Sequence, residues 1–322
     1  MKMKLKDIFK IEKKPVKGLL TLEWVMLGYL ALTLVVMLFA QTKLQNPESM
    51  LWGRVRVVAI TAAMWAVYRL VPCRLMMLLR VAMQMALLAW WYPDTYELNR
   101  LFPNLDHVFA AWEQSLFGFQ PALTFAQSVP SAVVSELMSL GYASYYPMIA
   151  LTALCYFFYN GKDFLRCATV IMASFFLFYV VYDFLPVVGP TYYYKAVGLD
   201  EIARGVFPNL HDYFASHTDC LPTPGYTDGF FYQLVESAKE AGERPTAAFP
   251  SSHVGVSTIC VLLAMRLRRR WLMWVMVPLY VFLCLATVYI QAHYAIDALA
   301  GLLCGCAFYF VLWPMTKSAG NR

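Results

Sequence analysis

The sequence predicts an all-α fold, a polytopic membrane helix bundle of about eight spanning helices with an interfacial helical loop. Three observations carry this. Of 322 residues, 60% are hydrophobic and 14% are charged, whereas a soluble chain carries roughly a quarter charged residues. Mean hydropathy is +0.54, and the apolar residues come in blocks long enough to cross a bilayer. The basic residues behind the net charge of +6 gather at the ends of those blocks. That placement reflects topology and does not suit nucleic-acid binding.

The predicted spans lie at about 18–40, 52–72, 75–92, 132–159, 164–187, 251–266, 271–291 and 294–315. Residues 1–17 form a basic tail, and 18–322 form a single membrane domain. The first span follows Lys2, Lys4, Lys6, Lys10, Lys13, Lys14 and Lys17. It is too long for a signal-peptide core and lacks a small-residue cleavage site after it, so it reads as a retained helix. Spans two and three carry the weakest apolar signal, because Arg54, Arg56 and Arg80 interrupt them. Pro72, Cys73 and Arg74 form the break between the two.

Eight spans put the basic tail on one side with Arg69 and Arg74, Lys162 and Arg166, Arg266 to Arg270, and finally Lys317 and Arg322. The two long loops, about 93–131 and 188–250, fall on the other side and are net acidic. Lysine and arginine mark the cytoplasmic side. The expectation is an integral membrane protein, of a bacterial inner membrane, with both termini cytoplasmic and the long loops periplasmic or lumenal. In the first long loop, Trp90, Trp91, Tyr92, Tyr96, Phe102 and Trp112 suggest an aromatic belt. Leu105 to Gln114 suits a helix lying in the interface. The eight cysteines show no CxxC or Cys/His ligand spacing, so neither a disulfide framework nor a metal site is expected.

Two stretches carry chemistry. Phe249-Pro250-Ser251-Ser252-His253-Val254-Gly255 opens the sixth span, and Pro and Ser are helix-start residues. A helix start offers open N–H groups and partial positive charge, which suit a phosphate. Ser251 and Ser252 add hydroxyl donors, and Gly255 allows close backbone approach. The second stretch, Ala286 to Gly301, contains His293 and Asp297 one helical turn apart. A carboxylate there can take the proton of one imidazole nitrogen and leave the other nucleophilic. His253 begins an inward helix and His293 ends the helix that returns, so both sit at one membrane level. His107, His211 and His217 lack such a setting and read as ordinary polar residues.

These stretches resemble the type-2 phosphatidic acid phosphatase superfamily, in its Pro-Ser-x-His and His-x-x-x-Asp motifs. The resemblance implies a catalytic core at about 132–316. In it His293 is the nucleophile that becomes phosphorylated or phosphodiester-linked, Asp297 orients and activates it, and His253 is the general acid and later base. Phosphatases of this superfamily usually carry arginine six residues before the nucleophile, where this chain has Thr287. A lysine followed seven residues later by Arg-Pro is also absent; Arg244-Pro245 is the sole Arg-Pro, and Lys239 stands five residues before it. With fewer cations, a singly charged phosphodiester suits the site better than a phosphomonoester.

Phe249 to His253 and Ala286 to Asp297 are more similar still to the inositol phosphorylceramide synthase branch, which shares Thr287 and Tyr289. Leu185-Pro186 and Gly189 to Tyr192 follow it more loosely. This resemblance implies a phospholipid donor such as phosphatidylinositol and a ceramide-like acceptor; no metal or other cofactor is expected, because the helix start, serines and histidines can supply the charge stabilisation. Lys195, Arg204 and Arg244 are candidate phosphate ligands, and Tyr192, Tyr193 and Tyr194 a candidate lip that keeps water out. The competing readings are a lipid or polyprenyl phosphatase and a transporter. The transporter reading would use Glu23, Glu136 and Asp183, but no inverted repeat accompanies them.

Overall fold

A computed structural model describes residues 7–242 and 244–316; Lys2, Lys4, Lys6, Lys317 and Arg322 of the basic termini lie outside them. The described residues form fifteen α-helices. They are α1 Thr21–Ala40, α2 Pro47–Leu70, α3 Arg74–Ala86, α4 Leu88–Asn99, α5 Asp106–Phe117, α6 Pro121–Ser128, α7 Ala132–Ala143, α8 Tyr145–Tyr159 and α9 Phe164–Phe184. They continue with α10 Pro190–Val197, α11 Leu199–Ala203, α12 Phe230–Gly242, α13 Ser252–Arg266, α14 Arg270–Tyr289 and α15 Ala295–Met315. Prolines open α2, α6 and α10, where the missing N–H costs nothing. Six segments are long and apolar enough to cross a membrane, counting α3 and α4 as one; α7, α8 and α13 are apolar but shorter.

Three expectations change. The predicted fourth span is two helices, α7 and α8, which meet at Ser144. The third runs on to Asn99 through Pro93, so Tyr92 and Tyr96 are helical. Trp91 is no belt residue: it is fully buried, edge-on to Tyr29 and Phe176.

α9 is the hub, buried along most of its length, with α1, α4, α8, α13 and α15 packed around it. The arginines that weakened spans two and three are paired inside the bundle. Arg80 donates to both oxygens of Glu23 at 2.6 Å, with both side chains fully buried. Arg54 does the same to Asp94 at 3.0 and 2.7 Å. A forked pair is the form in which a bilayer tolerates buried charge. Of the other acids, Asp183 accepts a hydrogen bond from the Tyr29 hydroxyl at 2.9 Å. Glu136 accepts from the backbone N–H groups of Phe231 and Tyr232, at the start of α12. Glu23, Asp183 and Glu136 thus each hold helices together.

α13 and α15 cross through glycines. A Cβ on Gly255 would stand 2.2 Å from Phe178 and 2.9 Å from the Gly301 carbonyl. Small residues let two helices approach closely where water cannot drive them together. Gly255 therefore faces helices rather than a ligand, contrary to its expected role.

Candidate active site

The first chemical stretch folds as its residues suggest. Ser251 caps α13, its Oγ accepting from the Val254 N–H at 3.4 Å. The Tyr182 hydroxyl pins the helix start, donating to the Pro250 carbonyl at 2.8 Å and accepting from the Ser252 N–H at 3.0 Å. Ser251 is fully buried and its N–H donates to the Asp297 carbonyl, so it acts as a cap. Ser252 lines the cavity described below.

The second stretch departs from the expected helical turn. α14 ends at Tyr289, and His293 sits in the tight connection to α15, where Gln291 has φ +63°. Asp297 Oδ2 accepts from the Tyr294 N–H at 2.8 Å, which caps α15. His293 Nδ1 bonds the Ala248 carbonyl at 2.7 Å, while Asp297 Oδ2 lies at 3.8 Å. A carbonyl can only accept, so Nδ1 carries the proton and the lone pair of the neutral ring is on Nε2. The tautomer is thus set first by a backbone carbonyl, with the carboxylate behind it.

Nε2 of His293 faces Nδ1 of His253 at 3.5 Å. His253 packs on Tyr142, 4.6 Å between ring centroids, and on Tyr145 at 4.3 Å. These tyrosines flank the Ser144 break, so the interruption of the fourth span is what delivers them. The two tyrosine rings hold the His253 imidazole in place beside His293. At this separation a phosphorus and its leaving oxygen do not fit in line between the two nitrogens, so chemistry that used both would require the rings to move apart.

His253 and Ser252 line a cavity of about 400 Å³. Its walls include Tyr92 and Pro93 of α4, Tyr146 of α8 and Tyr179 of α9, and its roof is α12, with Val235, Ala238 and Lys239. Lys239 is the single lysine or arginine in that lining among the described residues. It donates to the Leu221 carbonyl at 2.7 Å and to Thr191 Oγ1 at 3.3 Å.

The candidate cations from sequence lie elsewhere. Lys195 is exposed and outside the cavity. Arg204 is exposed and pairs with Glu201. Arg244 lines a separate groove with Asn46 and Arg100. Tyr192, Tyr193 and Tyr194 are buried in a packed cluster beneath the site and form no lip. Thr287, fully buried, turns its hydroxyl to the Cys284 carbonyl of its own helix.

Two residues of the first long loop brace this site, and sequence reasoning missed both. Asp106 is fully buried and accepts from Val188 N, Gly189 N, Asn104 Nδ2 and the Tyr294 hydroxyl, at 2.7 to 3.0 Å. Burial pushes its carboxyl above the ordinary aspartate range, against the pull of those bonds. Gly189 (φ +90°) needs this freedom because a Cβ there would stand 2.7 Å from the Ala292 carbonyl. Val187 in turn accepts from Ala248 N, and the Ala248 carbonyl holds His293. Asp106 therefore fixes both the loop that carries His293 and the loop packed against it.

Glu113 is buried one helix face along, where Asp106, Phe109, Ala110 and Glu113 form the inner stripe of α5 and Trp112 and Leu116 are exposed. The helix expected at Leu105 to Gln114 thus exists, and its inner face serves the site. Glu113 Oε2 accepts from Ile296 N at 3.1 Å at the start of α15, and Oε1 is without a hydrogen-bond partner among the described residues. Burial pushes its carboxyl up to about 8, aided by the nearby Asp297. Between the ordinary value of 4.5 and about 8, the unfolded chain releases this proton and the folded chain keeps it. Stability must therefore fall as pH rises through that window and level off above it. Glu113→Gln, a neutral mimic, should flatten that slope in thermal unfolding scans from pH 5 to 9; an unchanged slope would refute the assignment.

Residues 107–311 match the PAP2 superfamily. The match starts inside the first long loop, ahead of the core start predicted at 132, and takes in Glu113, both histidines and Asp297. It is a match to the superfamily, without singling out a branch. No curated protein and no solved structure matches the chain.

Proposed function

The chain belongs to the PAP2 superfamily, and from that premise we propose that it is a lipid phosphotransferase. It moves a phosphoalcohol head group, such as phosphoinositol, from a phospholipid to the primary hydroxyl of a ceramide-like lipid. Family membership supports phosphatase or phosphotransferase chemistry on phosphorylated lipids. The observation that favours a phosphodiester is the cavity's single lining cation, Lys239, with Thr287 where the phosphatases carry arginine. Even Lys239 has Glu236 at 4.0 Å, so the lining is poor in positive charge and suits a singly charged diester better than a dianionic monoester.

In the proposed cycle, His293 Nε2 attacks phosphorus and the bond from phosphorus to the glycerol oxygen breaks. His253 protonates that oxygen and diacylglycerol leaves. The acceptor hydroxyl then attacks the phosphorus on His293, gives its proton to His253, and the P–N bond breaks. Both histidines return to their starting state. Lys239 and the start of α13 stabilise the phosphoryl oxygens through this cycle. The aromatic walls leave acyl chains a dry path and disfavour water as acceptor.

Purified protein with head-group-labelled phosphatidylinositol and ceramide, read by mass spectrometry, tests this. The expected product is a labelled sphingolipid with stoichiometric diacylglycerol. Lys239→Gln should lower turnover about a hundred- to a thousandfold, the scale of losing one stabilising donor. Phosphate release from phosphatidate without head-group transfer would replace this reading with a phosphatase.

A further inference from the structure

A second cavity, of about 700 Å³, lies at the opposite, basic end of the bundle. Leu165 borders it and Tyr179 borders the catalytic cavity, so the two are separated by roughly 20 Å along α9. Nothing in the proposed chemistry uses it. Its outer wall is a strap of residues 8–20 laid against the α2–α3 turn. The strap is fixed by Glu12 N to Pro72 O at 2.8 Å, Leu75 N to Ile8 O at 3.1 Å, and Trp65 Nε1 to Lys17 O at 3.1 Å. So held, it places Lys14 and Lys17 opposite Arg74 around one opening.

The charge there is unbalanced. Lys14, Lys17, Arg74 and Arg166 line the cavity with Glu12 as the one acid among the described lining residues; Arg166 lies 3.8 Å from Asp163 just outside it, so the excess rests on Lys14 and Lys17 at the rim against Glu12. The buried Arg80–Glu23 pair beneath is internally neutral and offsets none of it. The floor is apolar, with Met77, Phe157 and Phe164 between α3, α8 and α9. A cationic rim over an apolar slot at a membrane interface is complementary to an anionic head group that carries its own acyl chain. A soluble anion would leave the slot unfilled.

We propose that this cavity is a binding site for an anionic phospholipid, separate from the catalytic one. The probe is dioleoyl phosphatidylglycerol, its retention measured by native mass spectrometry on the purified full chain. Lys14→Gln/Lys17→Gln/Arg74→Gln is compared with Lys13→Gln/Arg69→Gln/Arg268→Gln, which removes equal charge from exposed residues outside the cavity. The expected result is at least tenfold weaker retention in the first variant and unchanged retention in the second. Dioleoyl phosphatidylcholine should be held poorly by all, and excess inorganic phosphate should not displace the bound lipid. Lys17→Gln alone, at an exposed position, should weaken retention severalfold, and it carries the test if the triple variant does not fold. Equal retention across the variants, equal loss in the two charge-matched triples, equal retention of phosphatidylcholine, or displacement by inorganic phosphate would each overturn the proposal.

Discussion

Replacing His293 with alanine should abolish head-group transfer, lowering turnover by at least ~10⁴-fold, the scale on which loss of a covalent nucleophile is felt. The magnitude follows from the geometry. Nδ1 is committed to the Ala248 carbonyl at 2.7 Å, so Nε2 is the nitrogen with a lone pair, and it faces His253. His253 cannot substitute for it, because attack and leaving-group protonation require two separate nitrogens. The sharper readout is the intermediate. With head-group-labelled donor and no acceptor, wild-type protein should release diacylglycerol in a burst equal to the enzyme present. It should retain the label in an acid-labile, base-stable bond to nitrogen. His293→Ala should show neither burst nor label. Label retained by His293→Ala would move the nucleophile elsewhere and sink the mechanism.

The second large effect is expected at Asp106, far from the histidines in sequence. Asp106→Ala leaves the N–H groups of Val188 and Gly189, the Asn104 amide and the Tyr294 hydroxyl without their acceptor. Removing one side of a buried polar cluster costs about 3–5 kcal/mol. Asp106→Asn should also destabilise, because the amide NH₂ meets a backbone N–H whichever way it turns: Val188 at Oδ2 or Gly189 at Oδ1. Tyr294→Phe, which removes one donor of the four, should cost least. The measurement is the temperature of half-inactivation in detergent, with turnover recorded well below it. Both Asp106 variants should turn over more slowly even while folded, since the Ala248 carbonyl and the His293 loop lose their common anchor. Wild-type turnover and inactivation temperature in Asp106→Ala would refute the bracing role.

The membrane helices were legible because a bilayer imposes one strong rule: a spanning segment must be apolar and must satisfy its own backbone. Where the rule was broken, at Arg54 and Arg80, the signal weakened but the helices remained, since Asp94 and Glu23 repay the buried charge as forked pairs. The catalytic pair was legible because two local motifs and an antiparallel hairpin place His253 and His293 at one level. The cation was not. The sequence candidates in the loop 188–250 are Lys195, Arg204 and Arg244, and Lys239 is not among them, because no periodicity there reports direction. Lys239 reaches the cavity because Glu136 caps α12 from α7 and lays that helix over the site. Gly255 was misread for a related reason: a glycine permits close approach without saying to what.

The sequence by itself determined the class of molecule and the class of chemistry, a helical membrane protein with a His/His/Asp trio. Both are written in local pattern, in hydropathy over about twenty residues and in spacing within a turn. The tertiary structure decided what supports that trio. It directed the His293 N–H to the Ala248 carbonyl ahead of Asp297, brought Tyr142 and Tyr145 to His253 through the break at Ser144, and set Asp106 and Glu113 behind His293 and Asp297. Those relations join residues 45 and 188 positions apart. They arise only when buried polar groups far apart in the chain must find one another, because leaving any of them unpaired in an apolar interior costs more than ordering the loops that join them.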